Sequence, residues 1–298
     1  MPDQFLPVLT EIVLTPWGLA VLGLCVGSFL NVVIHRLPKM LEQQWQADAR
    51  AVLAGAEDHT DAGATAQPGE AEHLTLSKPA SRCPQCGHAI RWYENIPLIS
   101  WLVLRGKCSA CRTPISVRYP LVELATGALF AACHWRFGAE PTTLLWCGFV
   151  AVLVAAALID WDTTLLPDDL TLPLLWAGLV AAALGWNLPL KEALWGAVAG
   201  YLSLWSVYWL FKLTTGKEGM GYGDFKLLAA LGAWLGWTMI LPIVLASSVI
   251  GAVIGIVMKV SGQLREGVYI PYGPFLAGAG LVVTFAGPQR VLQWLGWA

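Results

Sequence analysis

Two aspartates in distant stretches of the sequence have the strongest claim to chemistry. Asp160 lies in LIDWDTTLLPDDL, residues 158–170, and Asp224 ends GMGYGD, residues 219–224. Each stands at the edge of a strongly apolar segment. An ionisable group there is expensive in a membrane, and usually faces a protein interior or a water cavity. Two carboxyl groups brought together can divide one proton, so that one is protonated and the other ionised. The ionised group takes a proton from water. The protonated group polarises a carbonyl and later protonates the leaving amine. This is aspartyl-protease chemistry, and it needs neither a nucleophilic side chain nor a metal. Gly219, Gly221 and Gly223 leave no side chains in the way of an extended substrate backbone and permit φ > 0. Gly221, Gly223 and the nearby Lys226 are therefore candidate substrate contacts. The plainer reading is a glycine-rich turn with Asp224 as a helix N-cap. Asp162, Asp168 and Asp169 lie past the end of their apolar segment, where solvated or capping acids are ordinary. Asp168, after Pro167 and before a helix, reads as a capping residue.

A second constellation is made of cysteines. CPQC at 83–86 and CSAC at 108–111 form two C-x-x-C pairs separated by 21 residues. Four thiolates at this spacing, Cys83, Cys86, Cys108 and Cys111, suit a tetrahedral zinc site. Gly87 and Gly106 fit the turns such pairs need. The segment between the pairs is too small to build a core, so a metal would supply its folding energy. All four positions are thiolates, so the zinc reads as structural. Two disulfides are the alternative, and a reducing compartment argues against them. Cys25, Cys133 and Cys147 fall in apolar segments and read as small buried hydrophobes.

Composition says what must position these groups. The 298 residues are 56% hydrophobic and 13% charged, against about 25% charged in soluble domains, with a net charge of −2. This is the composition of an all-α polytopic membrane protein, and nothing in it points to nucleic acid. No Lys or Arg precedes Arg36, so the first apolar segment reads as a retained span and not a signal peptide. Stretches of roughly 20 apolar residues predict eight spans, near 12–34, 119–137, 142–160, 170–187, 193–213, 225–238, 239–258 and 272–294. The sixth and seventh are split at Gly236, Trp237 and Thr238, because Lys226 and Lys259 flank one long apolar run. Residues 36–118 hold ten of the eighteen Lys and Arg residues. Basic residues concentrate on the cytoplasmic side, which puts the N-terminus outside and both aspartates at the cytoplasmic face. The expected organisation is a first helix over 1–35, a cytoplasmic domain over 36–118, and a membrane domain over 119–298 that carries the aspartates. Within the cytoplasmic domain, 48–77 reads as a mobile, acid-rich loop and 79–118 as the zinc module. At the end of the first span, Gly27 and Ser28 suit close helix packing, and Asn31 needs a polar partner. His35 is a ligand or base, or else an interfacial, hydrogen-bonded histidine.

Taken in order, GSFLNVVIHRLP, the two CxxC pairs, ENIPLISW at 94–101, RYPLVELATG at 118–127, the D-x-D…LPD stretch and KEGMGYGDFKLLAALGAW resemble the bacterial type IV prepilin peptidases. These are GxGD aspartyl proteases, and the likeness is to the bifunctional leader peptidase and N-methyltransferase members. It runs from about residue 17 to 290. The resemblance implies cleavage of the basic leader of type IV prepilins and type II secretion pseudopilins at the inner (cytoplasmic) membrane. Methylation of the new N-terminus by S-adenosylmethionine then follows. It matches the catalytic pair to Asp160 and Asp224 and the cytoplasmic cysteines to the four named above, and peptidase-only relatives lack that cysteine domain. No Gly-rich fingerprint of a soluble Rossmann methyltransferase is present. Asn31, His35, Arg36 and Glu94 are the expected methyl-donor contacts. Two other classes compete. One is a transporter with Asp160 and Asp224 as ion-coupling carboxylates, although no internal repeat is visible. The other is a membrane scaffold whose zinc module binds a secretion partner, which leaves the aspartates without a reason.

Overall fold

The computed structural model describes residues 12–57, 74–262 and 270–297. The described residues are helical, with no strands and two isolated β-bridges. The helices are α1 (Pro16–Glu57), α2 (Ile99–Val103), α3 (Arg118–Phe137), α4 (Thr143–Thr163), α5 (Asp168–Ala183), α6 (Leu190–Thr215), α7 (Tyr222–Leu235), α8 (Ile240–Val260), α9 (Gly273–Ala286) and α10 (Pro288–Trp294). Two compact units result: Leu24–Ala125, and Met1–Gly23 with Thr126–Ala298.

Helices stand at all eight predicted span positions. Four described helices are long and apolar enough to cross a membrane, or five if the bent pair α9 and α10 is one span. The predicted single span at 272–294 is broken by 105° at Gly287, whose φ is 88°. At 1.5 Å per residue, α5 and α7 are only about 24 and 21 Å long, short of the roughly 30 Å hydrocarbon core. Burial explains why α7 reads as apolar all the same. Every residue from Asp224 to Leu235 except Lys226 is buried, so its hydrophobicity faces protein on nearly all sides. By contrast α8, the most apolar candidate, is 22% buried, which is the pattern of a helix facing lipid. The predicted break at Gly236 is present: Gly236 takes φ 86° and a 3₁₀ turn, Trp237–Met239, leads into α8.

The contact of α6 with α7 is made by missing side chains. A Cβ on Gly196 would run into the carbonyl of Gly232, and one on Gly200 into that of Leu228. Small residues one turn apart let two backbones approach this closely. At the far end of α7, the Trp234 indole donates to the Leu174 carbonyl of α5 at 2.8 Å and stacks among Trp146 and Phe149 of α4. At its beginning, Phe225 packs against Tyr201 and Tyr208 of α6.

The first helix runs ten residues into the segment expected to be a loop, continuing to Glu57 despite Pro38. Of the remainder of that acid-rich stretch, 58–73 lies outside the described residues.

Candidate functional site

Asp160 is in the last turn of α4. The helix stops four residues later, at Thr164, which adopts φ 54° and donates its N–H to the Asp160 carbonyl at 2.7 Å. The Asp160 side chain is 4% exposed, and its Oδ2 accepts the backbone N–H of Gly273 at 2.9 Å. Asp224 is 7% exposed and is the third residue of α7. It is not the N-cap, as the plainer reading had it: that position belongs to Gly221, and no side chain caps the helix. The two carboxyl groups, 64 residues apart in sequence, lie within electrostatic reach of each other.

Leu166 brings the two aspartates' elements together. A Cβ on Gly223 would stand 2.6 Å from Leu166 Cβ, and one on Gly273 3.0 Å from Leu166 Cδ1. The α4–α5 connection is thus wedged between the start of α7 and the start of α9. The glycines of GMGYGD divide their roles. Gly223 makes room for Leu166, and Gly219 lies against Phe211. Gly221 is the open one, where a Cβ would meet only the Asp224 carboxyl, at 3.9 Å. None of the three takes the positive φ that glycine permits. At Gly223 and Gly219 the demand is for space, not for backbone conformation.

Lys226 reaches back to α5, where both oxygens of Asp168 accept from its Nζ at 2.7 Å. Asp168 is the first residue of α5, after the N-cap Pro167. Its charge lies where the helix dipole favours an anion. Asp162 and Asp169 are exposed. Sequence reasoning missed Leu166, Tyr272 and Gly273. The one available signal was PYGP at 271–274, a Tyr-Gly pair opening an apolar helix as in GYGD.

In the other unit, the four predicted zinc ligands converge, with all their sulfurs within 4.8 Å of one another. The Cys83–Cys111 sulfur separation is 3.7 Å. Zn–S bonds of about 2.3 Å place tetrahedral sulfurs about 3.8 Å apart, so the donor set fits zinc. Two matching turns make it. In the first, Cys83 N–H bonds the His88 carbonyl and Gly87 N–H the Cys83 carbonyl, both at 2.9 Å. In the second, Cys108 N–H bonds Thr113 and Arg112 N–H bonds Cys108, at 2.9 and 3.1 Å. The Thr113 hydroxyl, 3.2 Å from Cys111 Sγ, and the Thr113 backbone hold that thiol down to about 6, while desolvation and the neighbouring thiols push Cys86 up to about 11, so without a metal the cluster shares its charge unevenly. Cys133 and Cys147 are buried as expected, while Cys25 is exposed.

The four candidate methyl-donor contacts all fall in this unit, and each holds a neighbour within it. Arg36 donates to the carbonyls of Thr75, Leu76 and Pro79. Asn31 donates to the Tyr119 carbonyl at 3.1 Å. His35 Nε2 is 2.9 Å from Lys39 Nζ. Glu94 accepts from Arg91 N–H at 2.9 Å and meets His88 Nε2 at 3.3 Å, and His88 in turn meets Ser109 of the second cysteine turn. Glu94 therefore ties the two turns together. The Arg91 N–H, then Ser109 and His88, hold its carboxyl below the ordinary 4.5. A further acid missed from sequence is Glu123 of α3. It is buried and accepts the N–H of Leu98, whose φ of 58° and the Ile99 N–H to Pro97 carbonyl bond make a tight γ-turn.

Residues 21–137 match the family described as bacterial peptidase A24 N-terminal domain, and 147–256 match the type IV leader peptidase family. A protein of Stutzerimonas stutzeri named prepilin leader peptidase/N-methyltransferase is 55% identical over 93% of this chain and 93% of its own. Proteins of the same name from Pseudomonas aeruginosa and Burkholderia pseudomallei are 52% and 50% identical. They cover 93% and 90% of this chain, and 92% and 84% of their own lengths. No solved structure matches. The chain belongs to the type IV leader peptidase family.

Proposed function

We propose that this member of the family is a membrane-embedded aspartyl endopeptidase and N-methyltransferase. It removes the leader of type IV prepilins and type II secretion pseudopilins, then methylates the amine it has exposed. The observation that carries the peptidase reading is the meeting of Asp160 and Asp224 in one buried site, from two helices far apart in sequence. A soluble protein rarely buries two acids without pairing them with cations, and among the described residues neither of these has one. The four high-hydropathy helices fit a multi-pass protein of the bacterial inner membrane. The excess of Lys and Arg in 36–118 supports an N-terminus outside and a cleavage site at the cytoplasmic face.

In the reading we favour, the substrate's apolar helix lies beside the spans and its basic leader stays in the cytoplasm. The scissile bond is drawn to the carboxyl pair. One carboxylate takes a proton from water as the oxygen attacks the carbonyl carbon, the other carboxyl donates its proton to the carbonyl oxygen, and the amine leaves protonated. Gly221, beside Asp224 and open, is the point of closest backbone approach. Gly223 and Lys226 shape the site through Leu166 and Asp168. We assign methyl transfer to the region 36–118 with the end of the first span. S-adenosylmethionine, when bound, supplies the methyl group, and Asn31, His35, Arg36 and Glu94 are candidate contacts. Cys83, Cys86, Cys108 and Cys111 hold a structural zinc in the module 79–118, and 119–298 forms the peptidase domain.

The test uses the full-length enzyme and a prepilin, with mass spectrometry of the product's N-terminus. Wild type should give a shortened pilin, and one about 14 Da heavier with S-adenosylmethionine. Asp160→Asn and Asp224→Asn should give neither from the prepilin, yet should still methylate a pilin supplied already cleaved. Cleavage by both variants would remove the aspartyl mechanism. The transporter reading requires the same variants to alter ion flux instead.

A further inference from the structure

We propose that Gly273 is the positioning residue for Asp160, and that Tyr272 is the anchor that keeps Gly273 in place. The inference rests on reading Asp160 and Asp224 as the cleaving pair. It adds a third element, the start of α9, to the two that sequence identifies.

The first turn of a helix leaves N–H groups without helical partners. In α9, Pro274 has none to offer, and the N–H groups of Phe275 and Leu276 both return to the Tyr272 carbonyl, at 3.1 and 3.2 Å. The remaining N–H of residues 273–276, that of Gly273, goes to Asp160 Oδ2 at 2.9 Å. One carboxylate oxygen is thereby fixed, which leaves Oδ1 to act toward water and Asp224. Space makes the same demand. A Cβ on Gly273 would stand 2.6 Å from Asp160 Oδ2 and 3.2 Å from its Cγ. The first is a distance real Cβ atoms essentially never show and the second is unusually tight, so a side chain at 273 would push the carboxyl out of place. Backbone dihedrals are not the reason, since Gly273 is not among the positive-φ residues.

What fixes Gly273 is the residue before it. The Tyr272 hydroxyl is 2.6 Å from Ser247 Oγ, 3.1 Å from Ser248 Oγ and 3.4 Å from the Val244 carbonyl, all on α8. Ser247 is fully buried and also donates to Val244 at 3.0 Å. A chain of contacts thus runs from the α8 hydroxyls through Tyr272 and the Gly273 amide to the Asp160 carboxylate. Geometric errors of an ångström at a reacting group cost on the order of a hundredfold in rate.

The test measures kcat and KM for prepilin cleavage by the full-length enzyme. Methyl transfer to already-cleaved pilin serves as an internal check of folding. Gly273→Ala should lose roughly a hundredfold in kcat, with KM and methyl transfer near wild type. Tyr272→Phe and Ser247→Ala should each lose about fivefold in kcat, the worth of roughly one hydrogen bond. The double variant should lose little more than either single one, because both act through the same anchor. Wild-type kcat for Gly273→Ala overturns the proposal, as does a cleavage loss matched by an equal loss of methyl transfer. If Gly273→Ala does not fold, the two hydroxyl variants decide: full, independent losses that add, or no loss at all, overturn it. Asp160→Asn is run beside them. If it still cleaves, the dyad reading has failed. If it is inactive while Gly273→Ala is active, only the positioning role has failed.

Discussion

The two cysteine turns give a paired prediction, because they are built alike with one exception. Gly87 follows the first C-x-x-C pair at φ 70°, and Arg112 follows the second at φ 63°. Left-handed backbone costs a residue with a Cβ about 1–2 kcal/mol, and glycine almost nothing. Arg112→Gly removes that strain but gives the unfolded chain more freedom, a loss of about 0.4–1 kcal/mol. The net gain is about 0.5–1 kcal/mol. Gly87→Ala reverses the sign. Nothing lies within 4 Å of a Cβ at Gly87, so its cost of about 1 kcal/mol would be conformational and free of clash. Zinc binding and folding of such a module are coupled, and about 0.7 kcal/mol is a factor of about three in apparent zinc affinity. Competition with a chelator on the full-length protein should rank Arg112→Gly above wild type and wild type above Gly87→Ala. Arg112→Ala, which loses the guanidinium but keeps the strain, should stay near wild type. Equal effects of Arg112→Ala and Arg112→Gly would refute the reasoning, since the side chain and not the dihedral would then be responsible.

Three further outcomes follow from the geometry. The Lys226–Asp168 pair is partly exposed, so a double-mutant cycle on thermal stability should give a coupling under about 1 kcal/mol. If Lys226 also meets substrate, Lys226→Ala raises KM for prepilin where Asp168→Ala does not. Gly200→Val should cost about 1–3 kcal/mol, read as a fall in melting temperature in detergent, because its side chain must enter the Leu228 carbonyl. The Glu94 carboxyl is held below 4.5 by Arg91, Ser109 and His88, so its contribution is complete above about that pH and fades as pH falls through the lowered value. Glu94→Gln should therefore destabilise the module at pH 7 by hydrogen exchange, and the difference from wild type should shrink on acidification below about pH 4.

What the sequence made legible was chemistry carried by side chains. Asp160, Asp224 and the four cysteines were found by residue type and spacing, and the structure brings each set together. Span length was less legible. Hydropathy measures how apolar a segment is and not which solvent it meets. The 14 residues of α7 are apolar because protein surrounds them, so they read as a span while being too short for one. The glycines of GMGYGD were recognised but not told apart, since a glycine cleared for a leucine, as Gly223 is for Leu166, looks the same in sequence as one left open, as Gly221 is. Least legible was the α9 corner. Its donor is a backbone amide, which every residue but proline possesses, and what singles out Gly273 is an absence: no side chain of its own, beside a Pro274 that has no N–H to offer. Only the folded chain shows that this one amide meets Asp160. A site built from two carboxylates in sequence therefore becomes, in three dimensions, a site of two carboxylates and one backbone donor, and the Gly273→Ala kinetics described above measure how much of the rate that donor carries.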